Sequence, residues 1–573
     1  MKSEKTTSKF VFLIWLLALS LLAGGCGLSH GQQDAATAPV SSVPTQIPTT
    51  VPTEPPRQWE TGYIAALSPE AGYCDGEGML LGTLFRGTQV EYDITPDGRF
   101  ELNLGDSTAY LREGASIVPE AADVISGHTL YIRTAVNLRD MEGRLLPAFA
   151  EKGAAAEVTG YDWLYEDGRV HMYRVTLDGQ EGYVLPWYLA DSEEAALAVY
   201  DGGSYAVHAA REDRYGGGGA ADLDYYPREK GAIEGNEMPE ECRTLYLVSW
   251  RLDEVDAYLE VAEGSGINAF VVDIVDGGSV GYAAEVMHKY CPSAAAAAQN
   301  TVEAYREAIQ KIQNAGYYVI GRITTFNDTY FVKDHPEYAI SDKSGEPKKL
   351  SGEYWPTPYS REAWQYKVDL AVEAVELMGF NEIQFDYVRF PDRTGRYEKA
   401  GTIDFHNVYG ETKAQAIQRF LMYAADILHE QGAYVSADVY GESAYTYVTA
   451  YGQYWAAISN VVDVISGMPY PDHFAASGSY RPWEHPYDTL YGWGQNVMLR
   501  QAETTTPAIV RTWIQAYNAI HEPYTTYGPK AVSAQIRALR DAGCTGGYMT
   551  WNAGASLDKY ASLLPAFEPP EGE

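Results

Sequence analysis

The fold of this chain is decided by a stretch near its centre, EIQFDYVRF at residues 382–390. Ile383 and Phe385 alternate with polar residues that include Asp386, which is the two-residue period of a β-strand. The helical segment AWQYKVDLAVEAVELMG precedes this strand at residues 363–379. An apolar side facing a helix and a polar side facing away predict one unit of a larger parallel sheet.

The same alternation of apolar runs with helical segments extends over the whole C-terminal half. Three of the helical segments end at a glycine, as a left-handed C-cap prefers. Eight strands, each followed by a helix or loop, predict an α/β fold: a closed (β/α)8 TIM barrel, preceded by one or two small all-β domains. The predicted strands are residues 244–250, 269–275, 317–325, 382–390, 433–441, 461–470, 508–516 and 546–552.

The predicted barrel strands carry polar residues on their inward faces, where barrels usually hold Val, Ile and Leu. Burying polar groups costs roughly 1–3 kcal/mol each unless they are paired. Structural networks could satisfy some of them. A functional site at the C-terminal ends of the strands explains the pattern more economically, since barrel enzymes place their chemistry there.

Two inward carboxylates, Asp386 and Asp438, lie at the ends of adjacent predicted strands. Glycoside hydrolysis needs such a pair, because one acid protonates the leaving oxygen while a carboxylate acts as nucleophile or activates water. We predict Asp386 as the nucleophile or stabilising carboxylate and Asp438 as the acid/base. Glu442, four residues after Asp438, could be the acid instead. The structural alternative for Asp386 is a salt bridge to Arg322 or Arg389.

The other predicted site residues would bind substrate. Aromatic residues suit stacking on sugar rings, although each one alone is more often a packing residue. Asp273 is either a third site carboxylate or a buried structural one, and we expect Asp276 and Asp463 to be loop or strand-end residues. The predicted binding residues are Asp273, Arg322, Arg389, Tyr440, Tyr470, Trp513, Gln515, Trp551 and Asn552.

Other chemistries have no support in the sequence. It contains no HExxH or CxxC pair, so we expect no metal and no other cofactor. The formal net charge of −36 repels phosphate backbones, so we expect no nucleic-acid partner. Cys74, Cys242, Cys291 and Cys544 are predicted buried thiols, and their spacing leaves a disulfide open.

The N-terminal residues predict export. Three lysines within the first nine residues precede the apolar run FVFLIWLLALSLLAGG, which ends at Cys26. This is the pattern of a signal peptide over residues 1–26, and AGGC resembles a bacterial lipobox in which Cys26 is lipidated. Plain secretion or an uncleaved anchor is the alternative. Residues 27–57, rich in Thr, Ser and Pro, predict an extended tether that holds the folded part at the cell surface.

Two small β segments lie between the tether and the barrel. Residues 58–119 and 128–191 show short alternating runs with turn signals. The run VNLRD, a later strand and GQEGYVLPWYL make residues 128–191 similar to a bacterial SH3-like domain, a type that the first segment matches less clearly. Similar domains often bind cell-wall peptides, and a spacer role is the alternative. Residues 192–240, with four successive glycines, predict a connector that wraps onto a barrel domain at residues 241–565.

Five ordered segments of the barrel resemble the marker segments of a little-studied family of glycoside hydrolase-like proteins, catalogued as a domain of unknown function. They are IQFDYVRFP, VSADVYG, MPYP, VRTWIQA and GGYMTWNAG. The resemblance covers about residues 240–560 and implies a (β/α)8 barrel distantly similar to α-amylases, whose strand-four nucleophile corresponds to Asp386. The amylase-type acid on strand five is Glu, where this chain has Asp438. The third acid, on strand seven, is replaced here by Trp513 or Gln515.

Two functions follow from these patterns. The first is a surface-anchored glycoside hydrolase that cleaves a cell-wall or extracellular polysaccharide with paired carboxylates. The second is a non-catalytic carbohydrate- or peptidoglycan-binding lipoprotein with a degenerate barrel. Both predict a glycan partner, a lipid-mediated membrane contact and a possible peptidoglycan-peptide contact through the SH3-like region. The separation of the Asp386 and Asp438 carboxyl groups discriminates between them, because hydrolases keep such a pair within roughly 5–9.5 Å.

Overall fold

A computed structural model of the chain describes residues 57–125, 127–200 and 202–567. The predicted signal peptide, its Cys26 and nearly all of the tether lie outside these residues. No helix within the described ranges is long and apolar enough to cross a membrane. Cys74, Cys242, Cys291 and Cys544 are all free thiols, and the last three are buried.

The N-terminal part consists of two antiparallel sheets of seven strands each, and the two sheets have the same strand order. In both, the order is third, second, sixth, fifth, fourth, first, seventh. The predicted all-β structure of this part is therefore confirmed, while its division into domains and its SH3-like identity stay predictions. The first sheet consists of Glu60–Ala66, Glu70–Cys74, Leu80–Phe85, Gln89–Ile94, Phe100–Asn103, Thr108–Leu111 and Ala115–Val118; the second consists of His128–Ile132, Val136–Arg139, Leu145–Ala150, Ala155–Tyr161, Tyr173–Leu177, Gln180–Val184 and Leu189–Ala190.

The second sheet is attached to the barrel by a buried carboxylate, Asp426. Arg139 and the Tyr188 hydroxyl each donate to its Oδ2 at 2.6 Å, and Arg228 of the connector donates to its Oδ1 at 2.7 Å. Because a buried charge is tolerated only when it is paired and hydrogen-bonded, these contacts tie the second sheet, the connector and a barrel helix together.

The C-terminal part is a parallel barrel in which the strands follow one another in chain order. Nine strands are assigned, and two of them, Ile509–Val510 and Thr512–Gln515, are one strand interrupted at Arg511. The first half pairs with the sixth barrel strand and the second half with the eighth, which brings the sheet round on itself. All eight predicted strands are present: Cys242–Leu247, Ala269–Asp276, Tyr318–Thr324, Glu382–Asp386, Tyr434–Tyr440, Val464–Met468, Ile509–Gln515 with its interruption, and Gly547–Trp551.

Each barrel strand is followed by at least one helix. Helix Arg361–Met378 shows how the sequence sets the ends: the Ser360 hydroxyl accepts from the Ala363 N–H, and Gly379 closes the helix at a φ of 74°. The helices outside the N-terminal sheets are Glu193–Leu197, Gly202–Ala209, Val255–Ala262, Glu285–Tyr290, Pro292–Ala295, Val302–Asn314, Thr329–Asp334, Arg361–Met378, Gly395–Lys399, Lys413–Glu430, Trp455–Ser459, Pro486–Ala502, Pro529–Ala542 and Leu557–Leu563; short strands Ser279–Tyr282, Ala298–Asn300, Ser341–Asp342 and Ile403–Asp404 lie in the loops.

Part of the polar barrel interior is structural. At the N-terminal end of the barrel, Arg511 donates to both carboxylate oxygens of Glu382 at 2.8 and 2.9 Å, and neither side chain is exposed. This pair accounts for the inward position of Arg511 without any function. The polar groups at the opposite end form the candidate site.

Candidate active site

One guanidinium, that of Arg322 on the third barrel strand, contacts four carboxylates. Its Nη1 lies 2.7 Å from Asp273 and 3.1 Å from Asp276, and its Nη2 lies 2.5 Å from Asp386. Its Nε lies 3.8 Å from Asp438. A planar guanidinium with donors on two edges suits this arrangement, because it satisfies several carboxylates in fixed directions. Four barrel strands are thus tied together at the catalytic end of the barrel.

The contact with Asp276 depends on an irregularity in the second barrel strand. Asp273 pairs with Arg322 in the ladder, and the next pair is Val275 with Ile323. The second strand thus advances by two residues where the third strand advances by one. Such a bulge changes the alternation of side chains. Asp276, three residues after Asp273, therefore reaches the same guanidinium. We expected a loop or strand-end residue here, and it is the last residue of the strand and also a member of the site.

Asp386 is the last residue of the fourth barrel strand. The next residue, Tyr387, has a left-handed backbone with φ of 49°, which is uncommon for a non-glycine residue. Its N–H donates to Asp386 Oδ1 at 2.5 Å, while Arg322 occupies Oδ2. The carboxylate is thus fixed at both oxygens, and 8 % of its side chain remains exposed. The salt bridge to Arg322 that we held as the structural alternative is present, whereas Arg389 turns away and donates to the Tyr440 hydroxyl at 2.5 Å.

Asp438 lies beneath the site and is completely buried. Trp513 Nε1 donates to its Oδ1 at 2.7 Å, and its Oδ2 has no hydrogen-bond partner. Burial and the negative charge of Asp386 hold the pKa of Asp438 well above its ordinary range, against the opposing effects of Arg322 and Trp513. The protonated form of Asp438 is therefore favoured. Because one guanidinium contacts both Asp386 and Asp438, their nearest oxygens lie within the limit of about 9.5 Å for glycosidase pairs.

Asp273 is also buried below the site. The Tyr246 hydroxyl donates to its Oδ2 at 2.5 Å, and Arg322 holds its Oδ1. Burial raises the pKa of Asp273 to about 7, although Arg322 opposes the shift. The Tyr246 ring in turn packs 4.8 Å from that of Trp551, between their centroids. Asp273 supports the site from below and does not reach its surface.

Above these carboxylates lies an open cavity of about 1090 Å³. Eight of the predicted site residues line it: Arg322, Asp386, Arg389, Tyr440, Glu442, Tyr470, Trp513 and Trp551. Four do not line it and lie buried beside or beneath it: Asp273, Asp438, Gln515 and Asn552.

Gln515 is occupied by internal contacts. Its Oε1 accepts from the Asp472 N–H at 3.2 Å, and its Nε2 donates to the Tyr517 carbonyl at 3.2 Å. These bonds hold the loop after the sixth barrel strand, which supplies Asp472 and His473 to the cavity wall.

Asp276, at the end of its strand, and several loop residues line the cavity but were not predicted as site residues. They are Asp276, Tyr387, Asp392, Asp472, His473, Trp483 and His521, among others. Periodicity gives no signal for a loop side chain. For Asp276 and Asp472 the available signal was an acidic residue within a few positions of a strand end, which the sequence contains many times.

The family comparison agrees with this geometry. Residues 244–557 match the family model described as "Putative glycosyl hydrolase domain". The chain belongs to this family. The resemblance noted in the sequence is thereby confirmed for the barrel, which is a glycosyl hydrolase-like domain. No curated protein matches the chain.

Solved structures similar to the chain include three of bacterial origin. A hypothetical protein from Ruminiclostridium thermocellum is 32 % identical over 34 % of this chain and 97 % of its own, with a TM-score of 0.29. The PgaB (BpsB) glycoside hydrolase domain from Bordetella bronchiseptica is 13 % identical over 57 % and 98 %, with a TM-score of 0.39. The C-terminal domain of a "putative chitinase" from Desulfitobacterium hafniense is 11 % identical over 57 % and 99 %, with a TM-score of 0.37.

Proposed function

We propose that this protein is a glycoside hydrolase that cleaves a polysaccharide. The observation that supports this most directly is the position of Asp386, a carboxylate fixed at both oxygens on the floor of a large cavity walled by aromatic side chains. The cavity lies at the C-terminal ends of the barrel strands, where barrel enzymes place their chemistry. Aromatic walls suit sugar rings, which present apolar faces and hydroxyl edges.

In this proposal an acid donates its proton to the glycosidic oxygen as the bond from that oxygen to the anomeric carbon breaks. Asp386 stabilises the positive charge that develops on the sugar ring, or bonds to the anomeric carbon. A water molecule then supplies its hydroxyl to the anomeric carbon and a proton to the acid. One water is consumed, and both carboxyl groups return to their starting state.

Three carboxyl groups are candidates for the proton donor. The raised pKa of Asp438 favours its protonated form, but Asp438 is buried against Trp513 and must be uncovered to reach a glycosidic oxygen. Asp276 shares the Arg322 guanidinium with Asp386, and 35 % of its side chain is exposed. Glu442 lines the cavity without contacting Arg322 and accepts from two tyrosine hydroxyls. Asp438 remains our assignment, since catalytic contacts often form fully only in the substrate complex and apo geometry alone does not rule out a donor.

The decisive experiment is a polysaccharide digestion screen with the full chain and its Asp386→Asn variant. We expect the wild type to release reducing sugar from at least one polymer and the variant to lose about 10³-fold or more in kcat at an unchanged melting temperature. Asp392→Asn is a matched control, because Asp392 lines the same cavity without contacting Arg322 and should keep kcat within a few-fold. Equal turnover by wild type and Asp386→Asn would remove Asp386 from the chemistry. Polysaccharide binding by a wild type that hydrolyses nothing would instead support the non-catalytic alternative.

We also propose that the enzyme acts at the cell surface. The charged and apolar segments before Cys26 support export and lipid attachment, and the Thr- and Pro-rich tether supports reach into a cell-wall polymer. An SH3-like role for the second sheet in binding cell-wall peptide belongs to the same proposal. Labelling with a fatty-acid analogue should mark the wild type and fail on Cys26→Ser; labelling of both would refute the lipidation site.

A further inference from the structure

A row of three tyrosines leads from the cavity onto the surface of the protein. Tyr445 lines the cavity, and its ring is stacked on that of Tyr447 at a centroid distance of 6.0 Å and an interplanar angle of 13°. The Tyr447 ring lies 4.7 Å from that of Tyr215. Tyr445 and Tyr215 are 43 % and 49 % exposed. Exposed aromatic rings that form a continuous group indicate a binding surface, whereas single scattered ones do not.

The outer member of this row comes from the connector and not from the barrel. Tyr215 directly precedes the four glycines, and these glycines pack closely against the barrel, which fixes the position of Tyr215. The Gly217 carbonyl accepts from the Ala414 N–H at 3.0 Å, and a Cβ on Gly217 would collide with the Thr449 carbonyl oxygen. Gly218 has a φ of 107°, which side chains rarely adopt. The glycines thus let the connector lie directly on the barrel loop that carries Tyr445 and Tyr447.

The middle member, Tyr447, is fixed to the C-terminal end of the barrel strands through Glu442. The Tyr447 hydroxyl donates to Glu442 Oε1 at 3.0 Å, and the Tyr451 hydroxyl donates to Glu442 Oε2 at 2.9 Å. Glu442 itself lines the cavity. A ring held at its hydroxyl and packed on both sides by other rings is pre-organised, so binding to it costs little conformational entropy.

We propose that Tyr445, Tyr447 and Tyr215 form an extended binding site for sugar units of the same glycan chain that occupies the cavity. This inference rests on the proposed function and adds the substrate class to it: a long polysaccharide cut within its chain, without acidic sugars. Continuity with the cavity identifies the occupant, because a chain leaving past Tyr445 meets the other two rings in turn. The net charge of −36 and the Glu442 carboxylate at the inner end oppose a polyanionic glycan.

The test compares the full chain with its Tyr215→Ala variant on a long and a short substrate. The substrates are the neutral polymer that the digestion screen identifies and its trisaccharide. We expect Tyr215→Ala to raise the KM for the polymer by about 3- to 10-fold, the effect of losing one aromatic contact, and to leave the trisaccharide unchanged. Tyr215→Phe should restore the polymer KM, because the ring is retained.

Tyr165→Ala is the matched control, since Tyr165 is a tyrosine of comparable exposure in the loop between the strands Ala155–Tyr161 and Tyr173–Leu177, outside the cavity lining. It should behave as wild type on both substrates. Equal effects of Tyr215→Ala on polymer and trisaccharide, or no effect on either, would overturn the extended site while the proposed hydrolase stands. If the wild type binds the polymer without hydrolysing it, dissociation constants are measured in place of KM. The proposal would then be overturned if Tyr215→Ala left the ratio of the polymer and trisaccharide dissociation constants unchanged.

Discussion

The substitution Trp513→Phe tests whether Asp438 is the proton donor. It removes the indole N–H that donates to Asp438 at 2.7 Å and keeps an aromatic ring in the cavity wall. Both side chains are buried, so the wild-type bond is shielded from water. A hydrogen bond to a charged group contributes about 1.5–3 kcal/mol, and it stabilises the ionised form of Asp438 in the native protein.

Loss of that bond should therefore raise the already elevated pKa of Asp438 further, by about 1–2 pH units at 1.36 kcal/mol per unit. An acid catalyst is active while it holds its proton, so the alkaline limb of kcat/KM against pH should move up by the same amount. The assay is reducing-sugar release from the polymer identified in the screen, measured across the alkaline range for wild type and variant.

Trp483→Phe is the control for this experiment. Trp483 also lines the cavity, but its Nε1 donates to the Pro523 carbonyl at 3.1 Å and not to a carboxylate. The Trp483→Phe variant can change KM through the lost indole surface, but the alkaline limb of its curve of kcat/KM against pH should stay in place. An alkaline limb that is unmoved in Trp513→Phe would refute the assignment of Asp438, and the donor would then be sought at Asp276.

Two further predictions concern stability and the connector. Because the pKa of Asp273 is raised to about 7 from 3.8, the native protein holds this proton more tightly than the unfolded chain, and the contribution of Asp273 to the free energy of unfolding falls as pH rises from about 4 to 7. The Asn side chain of Asp273→Asn cannot titrate. In urea unfolding, the free energy of unfolding of the variant should therefore rise by about 4 kcal/mol relative to that of the wild type between pH 4 and pH 8. Parallel curves of unfolding free energy against pH would contradict this. Gly217→Ala should displace the connector from Thr449 and lower the free energy of unfolding by about 1–3 kcal/mol. It should also raise the KM for the polymer, as Tyr215→Ala does. A variant equal to wild type in unfolding free energy and in KM would show that the close contact is unimportant.

The barrel could be predicted from the sequence because its strands are buried on both sides and separated by well-marked helices. Asp386 and Asp438 were placed on neighbouring strands and on one face by strand order and alternation alone, and the structure agrees. Strand alternation does not report depth. It puts Asp438 and Asp386 on the same face, but only the packed structure shows that Trp513 covers Asp438 and that Asp386 remains in contact with the cavity.

Asp276 shows a different limit of sequence reasoning. Strict alternation from Asp273 places position 276 on the opposite face, and the bulge that corrects this has no distinctive residue pattern in VVDIVDGG. The long loops after strands are a second limit, since Asp472, His473 and Trp483 come together only through tertiary packing. The common strand order of the two N-terminal sheets was likewise hidden, because equal topology needs no equal sequence.

The origin of Tyr215 in the connector affects how substrate preference can be traced among relatives. The region shared with the family begins at residue 244, so an alignment restricted to it compares the cavity and omits the outermost tyrosine. Two members with nearly identical barrels can then differ in the polymers they accept, through a short glycine-rich segment that lies upstream of the aligned region. Classification by barrel sequence would group such enzymes together, and a search for the residues that separate them should begin with the linker.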